Sequence, residues 1–199
     1  MGTYQFILAS QSPRRQELLT LLGVPFKVQA AQLNEEALEY QQLSASEKCL
    51  LLSLHKAKRI SALSSNAVVL AADTLVQLGD EVLEKPKDKE QARWMLTKLS
   101  GQTHLVKTAF CLMNQERFAQ RLCQTQVEFE QLSLAEIDWY LDQEDFLDKA
   151  GGYGIQSWAA SFVKKINGCY FNVVGLPLSE LKAELEKFMQ VENWREVFY

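Results

Sequence analysis

Residues 6–23, Phe6-Ile7-Leu8-Ala9-Ser10-Gln11-Ser12-Pro13-Arg14-Arg15-Gln16-Glu17-Leu18-Leu19-Thr20-Leu21-Leu22-Gly23, constrain this chain more than any other stretch. Phe6 to Ala9 predict a short buried strand. Ser12-Pro13 then supply an N-cap and a first helical position, and Gly23 closes a helix with a leucine-rich stripe. The result is a strand, a turn large enough for a phosphate, and a helix. Arg14 and Arg15 fall in the first helical turn, where the macrodipole already presents partial positive charge and each cation costs about 0.3–1 kcal/mol. Two readings are open. Either both arginines run out into water along their alkyl stems, or an anion sits among free backbone N–H groups, serine hydroxyls and two forked guanidiniums.

A chain of 199 residues fits one domain and can bury a sizeable core, arranged as two lobes around a cleft. A hydrophobic content of 47% with 23% charged residues indicates neither disorder nor a membrane class. No apolar run approaches the roughly 20 residues of a spanning helix. Met1-Gly2-Thr3-Tyr4-Gln5 lacks the basic start and apolar core of a secretory signal, so a cytoplasmic protein without a membrane partner is expected. Cys49, Cys111, Cys123 and Cys169 show no C-x-x-C spacing, which predicts reduced, mostly buried thiols and no structural metal. A net charge of −4 disfavours a nucleic-acid footprint and leaves room for a small cationic pocket.

Along the chain, Val24 to Ala30 read as a turn into a second strand, followed by a polar loop bearing Asn34, Glu35 and Glu36. A helix is expected from Ser46 to Ser61, with Leu50, Leu51, Leu54, Ala57 and Lys58 facing inward and Lys56 on the surface. Ala67 to Ala72 predict a central strand covered on both faces and ending in Asp73-Thr74, where open α/β sheets bind ligands. Leu75–Leu78 and Glu81–Glu84 read as a hairpin around Gly79-Asp80. Asp88 caps a helix buried through Ala92, Met95, Leu96 and Leu99, and Ser100-Gly101 ends it. Strands follow at 104–113 and, as one or two elements, at 121–129. A capping box at Ser133-Leu134-Ala135-Glu136 then opens a helix to about Leu141. Residues 148–156 form a glycine-rich loop, and Asn167-Gly168 predicts a hairpin between 161–166 and 169–172. Ser179 caps a last helix to about Met189, and 190–199 read as a helical tail. His55 and His104 lack ligand spacing, and Trp94, Trp139 and Trp158 are assigned to packing or an interface.

There is no G-x-x-x-x-G-K-[ST], no strand-linked G-x-G-x-x-G, no G-x-S-x-G and no H-E-x-x-H, so P-loop kinases, dinucleotide oxidoreductases, serine hydrolases and zincins are disfavoured. Loop-placed acids (Glu35, Glu36, Asp73, Glu84) and cations (Arg14, Arg15, Lys56, Lys85) would, if they converge, support metal-assisted phosphate chemistry. Singly, each has a plainer reading: solvated glutamates, a surface lysine, a loop lysine, a turn-capping aspartate.

Taken in order, 9-ASQSPRR-15, 72-ADT-74, 83-LEKPKD-88, 99-LSGQTH-104, 148-DKAGGYGIQ-156 and 173-VVGLP-177 resemble the successive motifs of the Maf family of nucleoside triphosphate pyrophosphatases. The resemblance covers nearly the whole chain. It implies an α/β fold like that of the inosine triphosphatases, with a mixed central sheet and flanking helices. It also implies hydrolysis of a nucleoside triphosphate to the monophosphate and pyrophosphate, and the form of the motifs resembles the branch acting on dTTP and UTP. Carried over by residue, the resemblance makes Asp73 the proton acceptor, with Glu35 and Glu84 as further carboxylates for metal or water. It points Ser10, Arg14, Arg15, Lys56 and Lys85 at the phosphates and ties Arg14, Thr74 and Gln156 to substrate choice. A glutamine amide can answer the N–H flanked by two carbonyls that uracil and thymine present. A divalent cation, Mg²⁺ or Mn²⁺, and a homodimer are implied as well. The competing expectation is a non-catalytic role in septum formation and division, from which the family takes its name. Two positions depart from the usual pattern: Ala71 stands where the family has Gly, and Ser157 follows Ile155-Gln156 where Gly is usual.

Overall fold

The computed structural model describes residues 4–35, 37–115, 117–191 and 193–198, so Glu36 of the expected acid pair lies outside the described residues. Seven strands form a mixed sheet. They are β1 (Gln5–Leu8), β2 (Lys27–Val28), β3 (Ala67–Leu78), β4 (Glu81–Leu83), β5 (Thr103–Asn114), β6 (Arg117–Phe129) and β7 (Val163–Asn167). Their order is β2-β1-β3-β5-β6-β7, with β4 paired to β3. β1 runs parallel to both β2 and β3, whereas β3–β4 and β6–β7 are antiparallel. The helices are α1 (Pro13–Thr20), α2 (Leu38–Gln41), α3 (Ala45–Ser61), α4 (Lys89–Leu99), α5 (Leu134–Gln143), α6 (Tyr170–Val174) and α7 (Leu178–Met189). No helix among the described residues is long and apolar enough to cross a membrane.

The chain divides into two compact units. The first comprises 1–73, 108–123 and 175–199. Its core follows from the period-2 alternation of a strand covered on both faces. Ala67, Val69 and Ala71 of β3 pack with Ile7, Cys111 and Met113 and with Ala57 and Ile60 of α3. The alternate residues Val68, Leu70 and Ala72 are equally buried on the other face. Ser44 caps α3 through a reciprocal box with Glu47. The helix then buries Ala45, Cys49, Leu52, Lys56 and Ile60, about one position away from the stripe expected from sequence, and Lys56 is therefore inside rather than on the surface. The polar loop after β2 contains the short helix α2, which the sequence pattern did not indicate.

The second unit comprises 74–107 and 124–174. Asp88 accepts the Gln91 N–H at 2.7 Å to start α4, whose buried residues are Ala92, Met95, Leu96 and Leu99 as expected. α4 packs on α5, which opens with the expected Ser133–Glu136 box. Around them, His104, Phe129, Tyr140, Tyr153 and Phe162 make a chain of tilted and edge-to-face ring contacts, with centroids 4.8–6.0 Å apart.

Two further expectations are corrected. β3 does not end at Asp73 but runs on to Leu78, because 75–78 continue the ladder and pair with β4, which places Asp73 inside a strand. The hairpin at Asn167-Gly168 does not form. β7 pairs with β6, Gly168 turns the chain at φ +130°, and Cys169 is clasped by Thr125, whose Oγ1 accepts its N–H at 3.1 Å and donates to its carbonyl at 3.0 Å. With its backbone committed to Thr125, the segment that follows coils into α6. Of the four free thiols, Cys49 and Cys111 are buried, while Cys123 and Cys169 are half-buried.

His104 is 1% exposed, and its Nε2 lies 2.7 Å from the Tyr153 hydroxyl. Burial lowers its pKa to about 4. The unfolded chain takes up this proton near pH 6.5 and the native state does not. The associated stability is therefore present above pH 6.5 and drains away as pH falls toward 4, by roughly 3 kcal/mol over that window. Urea unfolding at pH 7, 5.5 and 4.5 should show this loss, and His104→Gln, which keeps a donor and an acceptor for Tyr153, should flatten it.

Candidate active site

The site in the first unit starts where β1 ends. Ser10 is 8% exposed, and its Oγ accepts the Ser12 N–H at 3.2 Å and an Arg15 Nη1–H at 3.3 Å. Ser12 has N-cap geometry, yet its side chain makes no capping bond, and no acidic residue stands in the first turn of α1. The helix start thus keeps amide donors and positive potential for a ligand. Arg15 is held from a second side, its Nε donating to the Gly175 carbonyl at 3.0 Å. Gly175 has φ +124°, a backbone state that disfavours side-chain-bearing residues and that aims this carbonyl at the guanidinium. Desolvation lowers the Arg15 pKa and the charge of Arg14 adds to that, while Asp73 and Glu35 pull it back up. An arginine so placed keeps its charge.

Facing this pair is an ammonium shared by two carboxylates. Lys56 Nζ lies 2.6 Å from Asp73 Oδ1 and 2.6 Å from Glu35 Oε1. The Lys56 and Asp73 side chains are 9% and 8% exposed, and Glu35 is 37% exposed. Desolvation works against the Lys56 charge, but Asp73 and then Glu35 outweigh it and raise its pKa, so the ammonium is firmly protonated. The electrostatics of Arg15 and the contacts of Lys56 bring Ser10, Arg14, Arg15, Glu35, Lys56 and Asp73 into one constellation of three cations and two carboxylates. Ala71, beside it on β3, is fully buried in the core, so the methyl group that replaces the usual hydrogen is absorbed by packing.

The remaining expected residues belong to the second unit. Thr74 follows Asp73 along β3 and is half-buried. Glu84, half-buried, accepts the Gly151 N–H on its carbonyl at 3.0 Å, which ties the exit of β4 to the glycine-rich loop. Lys85 is exposed between Glu84 and the buried Pro86. Within the loop, Gly151 and Gly152 take φ of +71° and +75°. Asp148 and Lys149 at the polar start of the loop are half-buried, residues 151–155 are buried, and Gln156 emerges exposed at the tip of the turn that follows. Sequence reasoning gave no role to Gly175, Tyr140 or Ser157, which the structure shows holding site elements in place. The only sequence signal for Gly175 was its position in the VVGLP stretch.

Comparison with known proteins follows the same lines. The family described as "Maf-like protein" matches residues 5–188. Over 184 residues the chain is 47% identical to the dTTP/UTP pyrophosphatase of Bacillus pumilus, covering 92% of this chain and 96% of that one. It is 44% identical over 184 residues to the dTTP/UTP pyrophosphatase of Symbiobacterium thermophilum, with 92% and 94% covered. It is also 44% identical to that of Latilactobacillus sakei over 181 residues, with 91% and 99% covered.

The buried Lys56–Asp73 pair carries a stability prediction. Lys56→Met leaves the Asp73 carboxylate in a dry setting without the ammonium that pairs with it, and should lower unfolding free energy by about 3 kcal/mol at pH 7. Adding Asp73→Asn should recover most of that. Urea denaturation of the two single variants and the double variant measures the interaction, and a double variant no more stable than Lys56→Met contradicts it.

Proposed function

Since this chain belongs to the Maf family, we propose that it is a nucleoside triphosphate pyrophosphatase that hydrolyses dTTP and UTP to the monophosphate and pyrophosphate. The observation that carries this reading is the meeting of Glu35 and Asp73 on the Lys56 ammonium beside Arg15 and the open start of α1. The relatives named dTTP/UTP pyrophosphatase support the substrate choice. The non-catalytic, division-associated reading draws support from none of these observations.

The roles follow from the chemistry of each group. The amides of α1 and the Arg14 guanidinium bind non-bridging phosphate oxygens, and Arg15, held by Gly175 and Ser10, adds a fixed positive charge. Asp73 takes the proton of the attacking water as the oxygen–phosphorus bond forms and the bridging bond to pyrophosphate breaks. Lys56 holds the Asp73 carboxylate in place for that step and stabilises charge that develops on the phosphoryl oxygens. Lys85 is assigned to the phosphates and the Gln156 amide to the N–H and carbonyl edge of the pyrimidine, where a mismatched base leaves polar groups unpaired.

Magnesium is typically held through one or two carboxylates with phosphate oxygens and waters completing the shell. Glu35 and Asp73, already gathered on one cation, match that donor set, and no group of three or more His, Cys, Asp or Glu able to hold an ion occurs among the described residues. Glu35 and Asp73 would hold Mg²⁺ or Mn²⁺. When bound, the ion polarises the phosphate and acidifies a coordinated water.

Pyrophosphate release from a panel of nucleoside triphosphates in the presence of Mg²⁺ or Mn²⁺ tests the reading, with dTTP and UTP expected to turn over fastest. Absence of turnover with every triphosphate would refute it. Asp73→Asn, confirmed folded by circular dichroism, should lower kcat by roughly 10²- to 10⁴-fold, and a variant with wild-type kcat would strip Asp73 of the proton-accepting role.

A further inference from the structure

The turn that presents Gln156 is closed by its own chain and fastened to α5. The Ser157 N–H donates to the Gly154 carbonyl at 3.0 Å, and the Ser157 hydroxyl donates to the same carbonyl at 2.9 Å. The Gly154 N–H donates to the Tyr140 hydroxyl oxygen at 3.3 Å, so Ser157 holds the carbonyl of Gly154 while Tyr140 of α5 holds its amide. Gly154 is pressed from the other side by the Lys149 stem, since a Cβ built on it would lie 2.8 Å from Lys149 Cε. Lys149 Nζ is itself fixed by Asp148 at 2.6 Å and by the Asp145 carbonyl. Ser157 has φ −103°, a conformation open to any residue, so nothing in its backbone calls for glycine.

We infer that Ser157 is a positioning residue for base selection: its hydroxyl donates to the Gly154 carbonyl while Tyr140 accepts the Gly154 N–H, and in this way it fixes the Gly154–Ser157 turn and thereby the direction in which the Gln156 amide points. This inference rests on the pyrophosphatase reading and on Gln156 as the reader of the pyrimidine edge. The physical argument is one of preorganisation. Gln156 is exposed, so the stiffness of the turn beneath it sets how sharply its donor and acceptor discriminate. Uracil presents a ring N–H between two carbonyls, whereas cytosine offers an acceptor and an amine at the corresponding positions. A loose glutamine can rotate its amide to suit either base, and a fixed one cannot.

The test compares steady-state pyrophosphate release from UTP and CTP by the wild-type protein, Ser157→Ala, Ser157→Thr and Tyr140→Phe, with thermal unfolding as a check on folding. Ser157→Ala should raise KM for UTP about three- to tenfold, lower kcat by less than that, and reduce the UTP-over-CTP preference in kcat/KM by a similar factor, the worth of one ordinary hydrogen bond. Ser157→Thr keeps the hydroxyl and should restore both values toward wild type. Tyr140→Phe removes the oxygen that accepts the Gly154 N–H and should shift KM and preference in the same direction, which keeps the inference testable if Ser157→Ala folds poorly. A purely structural serine would lower the thermal midpoint and leave the base preference untouched, and that result overturns the inference. If the wild-type protein turns over UTP while Ser157→Ala and Tyr140→Phe both keep KM and preference within about twofold, only the role of Ser157 falls. If the wild-type protein turns over neither UTP nor dTTP, the pyrophosphatase reading falls with it.

Discussion

An ammonium that has lost most of its water must be surrounded by charge of the opposite sign, and in this protein that requirement organises the first unit. Lys56 is carried inward by the same face of α3 that packs Ala57 and Ile60 against β3. It cannot reach water without unpacking that face, and its partners must therefore come to it. Asp73 arrives on β3 and Glu35 from the loop before α2, so one buried charge joins three segments distant in sequence. Arg15 obeys the same constraint from the other direction. The carbonyl of Gly175, near the start of the C-terminal part of the unit, and the hydroxyl of Ser10 take up its hydrogen bonds, while Asp73 and Glu35 offset its desolvation. The helix start that a sequence reader notices first is thus one side of a larger charge balance.

What could be read from the sequence was what is encoded within a few residues. The strand, turn and helix at 5–20, the Asp88 cap with its four buried partners and the Ser133–Glu136 box each depend on contacts inside one or two turns, and each is present. The errors fall where a distant partner decides. Lys56 looked like a surface lysine because helical periodicity ranks residues by apolarity, and only knowledge of Asp73 and Glu35 could have rotated the buried face onto it. Asp73 looked like the end of a strand because a charge interrupts an apolar run, yet the ladder continues through it. Asn167-Gly168 has the local chemistry of a hairpin, but the clasp of Cys169 by Thr125, 44 residues away in sequence, takes the backbone groups a second strand would have used. Gly175 was visible as a glycine and not as the support of Arg15, since the link spans 160 residues.

The two departures from the family pattern show how one kind of change can have different consequences in different surroundings. Ala71 adds a methyl group to a strand position that faces Ala57 and Cys111, where small neighbours leave space and the addition increases core packing. Ser157 adds a hydroxyl to a turn, where it donates to the Gly154 carbonyl and acts on the chain through that hydrogen bond more than through its bulk. The first change is a matter of volume and the second of hydrogen-bond closure, and neither can be ranked by substitution type alone.

Charge balance also explains why the constellation is suited to a ligand rather than to self-sufficiency. Arg14, Arg15 and Lys56 stand with Glu35 and Asp73 in a partly dry setting, where charges act on one another more strongly than in water. A polyphosphate carries more negative charge than Arg14, Arg15 and Lys56 can neutralise, and a divalent cation bound with it would offset the remainder through oxygen donors such as Glu35 and Asp73. The same two carboxylates thus neutralise a lysine before substrate arrives and can share their oxygens with an ion afterwards. That dual use demands that the Lys56 contacts be ionic hydrogen bonds capable of rearranging, whereas a closed apolar core at that position would give greater stability and no chemistry.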